Sequence, residues 1–188
     1  MTVYDYGSIV NKIDVISQDA RIVGRIQEVR YDPHDYTIIG MAVKCEKEVS
    51  NDIGAGSSKS RILIKPEHFE LYDVLLLADT VEDAKAYIQP DMDTMSAIKG
   101  FLGKEVITSE HLKLGVIKAV YLDLDGWFID SFLIKLDKEA QTTLGLKKLM
   151  GTKSIRGVKA DHISVIADAV NLSITMEEVK QIMLPDED

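Results

Sequence analysis

The chain has 188 residues, 46% hydrophobic and 28% charged, with 31 acidic against 22 basic side chains and a formal net charge of −9. This fits one large or two small folded domains, and the acidic balance disfavours nucleic acid or anionic lipid as a partner of the whole surface, because both require a positive field. The single cysteine, Cys45, excludes an intrachain disulfide and a cysteine-based zinc site, as expected of a reducing interior.

The opening MTVYDYGSIV has no basic stretch and no apolar core, so no secretory leader is expected. The longest apolar run near the middle, VLLLA at 74–78, falls far short of the ~20 residues that a membrane span needs. The expectation is a soluble, cytoplasmic protein without a transmembrane segment. Aromatic residues make up only 6%, so the core must be built from Ile, Val and Leu.

A short strand is predicted to end near Ser17, and Gly24 opens a longer one. In that strand Ile26, Val29 and Tyr31 are spaced by three and then two. A regular pleat repeats every two residues. One inserted residue, a β-bulge, restores the inward face and sharpens the bend. The loop YDPHDYT (31–37) reads as a type I turn with Asp32 first and Pro33 second. A β-branched strand then runs to Cys45. The Gly/Ser-rich segment 46–60 reads as a loop, and its Gly-Ala-Gly is too short for a phosphate-binding fingerprint. Segments 79–88 and 93–102 each begin Asp-Thr, which can N-cap a short helix, and QPDMD between them reads as a linker.

The chain then repeats itself. Residues 14–45 align with 105–136 over 32 residues without a gap, with eight identities: Val15/Val106, Ile16/Ile107, Gly24/Gly115, Ile26/Ile117, Val29/Val120, Asp32/Asp123, Ile38/Ile129 and Lys44/Lys135. A second block, 64–77, matches 158–172 and shares Lys65/Lys159 and His68/His162. Such self-similarity means two copies of one β-rich unit of roughly 80 residues. In the second copy Ile117, Val120 and Leu122 keep the three-then-two spacing. The turn there contains Asp125-Gly126, the sequence signal of a type I′ hairpin. Thr175 and Glu178 stand at capping-box spacing, ahead of Val179, Ile182 and Met183 on one helix face.

Little in the sequence points to catalysis. The four histidines have no helical metal-site spacing, and His68 and His162 recur at equivalent positions, which favours a structural role. Asp32 and Asp123 precede turns and read as turn caps. Cys45 has Leu136 as its repeat partner, which argues for a buried small apolar side chain. No cofactor and no metal site are expected, and the chain reads as a non-enzyme. Candidate partner-binding residues are Trp127 and Phe128, adjacent on a strand and so facing opposite sides, with Leu144 and Leu146 in an apolar insertion. Lys147 and Lys148 open KKLMGTKSIRGVK (147–159), which has five basic residues and no acidic one. That cluster is the best candidate for an anionic partner such as RNA.

The pattern Val-Ile-(Ser/Thr), then Gly-x-Ile-x-x-Val-x-(Tyr/Leu)-Asp, a turn and a β-branched strand, followed by IKPEHF or VKADHI, resembles the PRC-barrel domain. That small β-barrel occurs in the photosynthetic reaction-centre H subunit and in the ribosome-maturation factor RimM. The resemblance covers about 65 residues of each half, without the H subunit's membrane span or RimM's additional N-terminal barrel. It is nearest to the stand-alone archaeal PRC-barrel proteins. Some of these, the CdpB type, are cell-division adaptors that engage SepF, the membrane anchor of the FtsZ ring. It implies a mainly all-β fold of two tandem PRC-like barrels with short connecting and C-terminal helices. The first would span 1–79 and the second 101–188, joined by a helical linker over 80–100. The implied function is a protein-interaction adaptor, recruited to the division site through a SepF-type partner and able to form a homodimer through exposed barrel edges. A ribosome or RNA-processing accessory role is the second reading.

Overall fold

The computed structural model describes residues 3–53, 61–146 and 154–185. The chain forms two compact units. One is Tyr6–Lys99; the other is Gly100–Asp188 joined by Met1–Asp5. The fold is mainly β, in two sheets, one of them curled into a half-barrel.

The chain begins with β1 (Val3–Asp5), a strand of the second unit. The first unit runs α1 (Tyr6–Ile9), β2 (Asp14–Ile16), β3 (Ile22–Tyr31), β4 (Ile38–Cys45), α2 (Lys47–Ser50), β5 (Arg61–Ile64), β6 (Phe69–Leu71), β7 (Leu75–Leu77), α3 (Val81–Ala84) and β8 (Gln89–Pro90). Its seven-stranded sheet has the order β6-β7-β2-β3-β4-β5-β8, antiparallel except where β2 meets β7. The second unit runs β9 (Glu105–Ile107), β10 (Lys113–Asp123), β11 (Phe128–Leu136), α4 (Lys138–Thr143), β12 (Ser154–Lys159), β13 (Ile163–Ile166), β14 (Ala169–Leu172), α5 (Met176–Ile182) and β15 (Leu184–Pro185). Its order, β13-β14-β9-β10-β11-β12-β15, repeats the first strand for strand, with β9 and β14 parallel. The duplication read from the sequence is therefore a duplication of topology.

The broken alternation is a bulge, and both units have it. In β3 the register against β4 slips between Ile26 and Glu28, leaving Gln27 as the extra residue. In β10 it slips against β11 between Ile117 and Ala119, leaving Lys118. A second slip follows in each pair, between Arg30 and Tyr31 and between Tyr121 and Leu122. The bulges let Ile26, Val29 and Tyr31, and Ile117, Val120 and Leu122, all point inward, and all six are buried. Full burial of each aliphatic side chain is worth roughly 1.5–3 kcal/mol. The second core adds Phe101 against Phe132, ring centroids 5.2 Å apart and tilted. Gly24 and Gly115 lie where the long strands run close against their partners. A Cβ on Gly24 would stand 2.1 Å from the Lys44 carbonyl oxygen, and one on Gly115 2.0 Å from that of Lys135.

The two hairpin turns, expected to differ, are built alike. Asp125-Gly126 does not form a type I′ turn, since neither residue has positive φ; Trp127 does, at 56°. The Asp123 carboxylate accepts from the backbone N–H groups of Asp125 and Gly126 at 2.9 and 3.0 Å. In the first unit Asp32 accepts from the His34 N–H at 2.8 Å, and Tyr36, the repeat partner of Trp127, has φ of 62°. Both aspartates cap turns, and an aromatic residue closes each turn in the left-handed region.

The segment expected as a helical linker is packed into the first unit. Thr80 caps α3, its hydroxyl accepting from the Asp83 N–H at 3.2 Å, but α3 is a single turn. Residues 98–101 form a 3-10 turn rather than an α-helix. The middle of QPDMD is held by a buried ion pair: Arg30 donates to both carboxylate oxygens of Asp91 at 2.7 and 2.8 Å, with the two side chains 4% and 0% exposed. At the other end, α5 carries the expected capping box between Thr175 and Glu178, with Val179 buried. Among the described residues, no helix is long and apolar enough to cross a membrane.

Candidate functional site

The register of the first sheet creates a feature that the one-dimensional pattern does not display. Ile16 on β2 lies opposite Ile22 on β3 and beside Leu76 on β7, and Leu76 lies opposite Glu70 on β6. Residues directly opposite one another share a face. Ile22, Ile16 and Leu76 therefore form a continuous apolar row across three strands, about 10 Å long at ordinary strand spacing. It faces outward: Ile22 is 53% exposed, Leu76 39%, and Ile16 half-buried. Beyond its end Tyr72, itself 58% exposed, donates its hydroxyl to Glu70 at 2.6 Å.

Beside Ile22 opens a groove of about 580 Å³, bounded by Asp14, Arg21, Arg25 and the segment Glu46–Val49. Its charges are balanced. Arg25 pairs with Asp14 at 2.7 Å, and Arg21 with Asp52 at 2.7 Å. These hydrogen bonds hold both guanidinium groups in their charged form, above the usual arginine value. Exposed pairs of this kind contribute little stability. They leave no concentrated positive field.

The second unit has the same row with different residues. Ile107 lies opposite Lys113 and beside Asn171, which lies opposite Val165. Lys113 replaces Ile22 and is held by Glu105 at 2.6 Å and Asp137 at 3.3 Å. Asn171 replaces Leu76. The central isoleucine is common to both copies; at the ends of the row one copy has Ile22 and Leu76 where the other has Lys113 and Asn171, and beyond them lie Glu70 in one and the exposed Val165 in the other.

The residues singled out from sequence do not gather into one site. Leu144 and Leu146 are 3% and 4% exposed, so they pack inward at the end of α4. Trp127 and Phe128 are half-buried. They do not alternate on a strand, because Trp127 is the left-handed turn residue and β11 begins at Phe128. The Phe128 ring lies over Gly126, 2.4 Å from where a Cβ would stand. Lys147 and Lys148 lie outside the described residues. Two other members of the basic cluster are engaged: the Arg156 guanidinium sits 4.1 Å above the Tyr121 ring, and the Lys159 ammonium is 3.9 Å from Asp130.

The remaining candidates have structural explanations. The His68 ring stacks on Tyr87 with centroids 3.7 Å apart, and the His68 carbonyl accepts from the Ala78 N–H. The His162 carbonyl likewise accepts from Ser173, and its Nδ1 from the Lys159 N–H at 3.4 Å. Burial, with Asp79 nearby, pushes the Tyr87 phenol up to about 12. Burial also pushes the Cys45 thiol up to about 11, away from nucleophilic use. Among the described residues, no three His, Cys, Asp or Glu side chains are placed to hold a metal ion.

The fold and row together define a duplicated all-β module with an exposed apolar stripe on one copy. Compared with known proteins, the chain matches no family model and no curated sequence.

Proposed function

We propose that the chain is a non-enzymatic protein-interaction adaptor and that its docking surface is the row Ile22–Ile16–Leu76. The observation that supports this most strongly is the contrast between copies. The same three-strand row is apolar throughout in one unit, with Ile22 and Leu76 exposed, and in the other has Lys113, fixed by Glu105, and Asn171 around Ile107. Solvent-exposed isoleucine and leucine in a continuous row contribute nothing to solubility and are common at binding surfaces.

The rim selects the class of partner. Arg21 and Arg25 are already neutralised by Asp52 and Asp14, so the surface offers little to a polyanion. It suits a protein that presents an apolar strip flanked by charges of both signs. A SepF-type division protein, the partner implied by the PRC-barrel resemblance, is our specific proposal. The RNA-accessory reading is weaker, because Arg156 and Lys159 are engaged with Tyr121 and Asp130. Affinity purification from the native host, with wild type beside Ile22→Lys/Leu76→Asn, tests both readings. Division proteins held by wild type and lost with the double variant support the adaptor. Salt-sensitive recovery of RNA or ribosomes, unaffected by the double variant, contradicts it.

A further inference from the structure

We propose that the outer edge of β10 over Tyr121–Asp123 is a strand-acceptor site whose occupant can be Val3–Asp5 of a second copy of this chain, giving a strand-exchanged dimer. The inference is independent of the docking row.

The argument begins with two turns. The Asn11 N–H donates to the Ile26 carbonyl at 2.8 Å, and the Gly103 N–H to the Ile117 carbonyl at 2.9 Å. Both residues lie in the left-handed region, with φ of 61° and 79°. Ile26 and Ile117 are repeat partners, so Asn11 and Gly103 correspond. Counting back in step from each makes Tyr4 the counterpart of Ser96, and Asp5 the counterpart of Ala97.

These counterparts pair with strand edges in the same register. On β10, Tyr4 lies opposite Leu122 and Asp5 opposite Tyr121. On β3, the Tyr31 N–H donates to the Ser96 carbonyl at 3.2 Å, and Ala97 bridges to Arg30. Tyr31 and Leu122 are repeat partners, as are Arg30 and Tyr121. One acceptor edge therefore occurs twice. Each time its occupant is the segment that precedes the opposite copy in the sequence. Such an edge recognises backbone groups and a few side chains, not the connection that leads to them.

The occupant of β3 continues into a buried ion pair, and the occupant of β10 is a short strand. The Arg30 guanidinium, fixed by Asp91, also donates to the Met95 carbonyl at 3.0 Å and clamps the segment on β3. β1 is three residues long, with Val3 and Asp5 exposed and Tyr4 half-buried. A short strand with little buried surface opens at low cost. The edge it leaves must then be covered again, and an identical strand from another chain fits in the same register.

The test mixes two full-length single variants, Asp5→Cys and Tyr121→Cys. Residues 5 and 121 are cross-strand partners and Cys45 is buried, so a disulfide between the two variants that Tyr4→Pro abolishes reports exchange rather than collision of two surface thiols. The expected result is a covalent heterodimer on mild oxidation at high protein concentration. It should fall at least tenfold on hundredfold dilution, and disappear when Tyr4→Pro is added to the Asp5→Cys chain. The proposal is overturned if no heterodimer forms while the double variant Asp5→Cys/Tyr121→Cys closes within single chains at every concentration. Solution mass of the unmodified protein is a second readout that needs no cysteine variant. A dimer that grows with concentration and is lost in Tyr4→Pro supports exchange. A monomer at all concentrations, or a dimer that survives Tyr4→Pro, overturns it.

Discussion

Arg30 and Asp91, separated by 61 residues, form a two-pronged ion pair almost wholly out of water. Arg61 adds a contact to the same carboxylate at 2.9 Å and another to Asp93. The pair ties the segment after β8 back onto β3. The hydrogen bonds that Arg30 donates to Asp91 outweigh the desolvation of the guanidinium and keep Arg30 firmly charged. Removing Asp91 leaves the buried Arg30 guanidinium with only the more distant Asp93 at 3.7 Å, and removing Arg30 leaves the buried Asp91 carboxylate to Arg61 alone. Asp91→Asn or Arg30→Met is expected to cost roughly 3–5 kcal/mol in urea unfolding. The double replacement Arg30→Met/Asp91→Leu should recover much of that loss. Equal losses in the single and double variants would show that the pair itself stabilises the fold.

The crossing of β3 and β4 depends on the absence of a side chain at Gly24. Gly24→Ala forces a Cβ against the Lys44 carbonyl, as Gly115→Ala does against Lys135. Each is expected to cost roughly 1–3 kcal/mol, the range for overpacking. Gly100→Ala meets no atom within 4 Å and serves as the control, with thermal unfolding as the readout.

Cys45 should be nearly inert in the folded protein. It is buried and its thiol is pushed up to about 11, so only about one molecule in a thousand carries a thiolate at pH 8. Reaction with a disulfide reagent is expected to be at least a hundredfold slower than for the unfolded chain. Reaction at the unfolded rate would contradict the burial.

The cap of α5 gives a defined pH dependence. Glu178 accepts from the Thr175 N–H at 2.7 Å and from its hydroxyl at 2.9 Å, which holds its carboxyl below the ordinary 4.5. A lowered carboxylate contributes stability above its unfolded value, and that contribution is lost as pH falls through the folded value. The small difference in unfolding temperature between wild type and Glu178→Gln should be present near neutral pH. It should close as the solution is acidified below about 4.5. A difference that persists unchanged in acid would mean that the carboxylate is not the source.

Much of the architecture was legible because it is written twice. Periodicity alone leaves a break such as Ile26–Val29–Tyr31 ambiguous. Finding it again at Ile117–Val120–Leu122 makes it a bulge. The turn around Asp125-Gly126 departs from the type I′ expectation because dipeptide preference ignores the preceding side chain: Asp123 caps the turn, and the left-handed residue is Trp127. QPDMD looked like a linker because its charges suggest solvent, and only the fold reveals that Arg30 waits for Asp91. The apolar row was hidden for a geometric reason. Ile16, Ile22 and Leu76 lie on three strands, and Leu76 reaches β2 only through a parallel pairing across about 60 residues of chain. Leu144 and Leu146 are apolar in the sequence, but composition does not decide between packing on the barrel and meeting a partner; the fold buries both.

The central claim is that the Ile22–Ile16–Leu76 row is a protein-docking surface, and giving it the second copy's residues tests this most directly. Ile22→Lys/Leu76→Asn changes two exposed side chains, so stability should stay within about 0.5 kcal/mol per site of wild type. Quantitative affinity capture of both proteins from the native host is the measurement. The account predicts that the partners recovered with wild type fall at least tenfold with the double variant while its unfolding temperature holds. Recovery of the same partners in the same amounts by both proteins would contradict it.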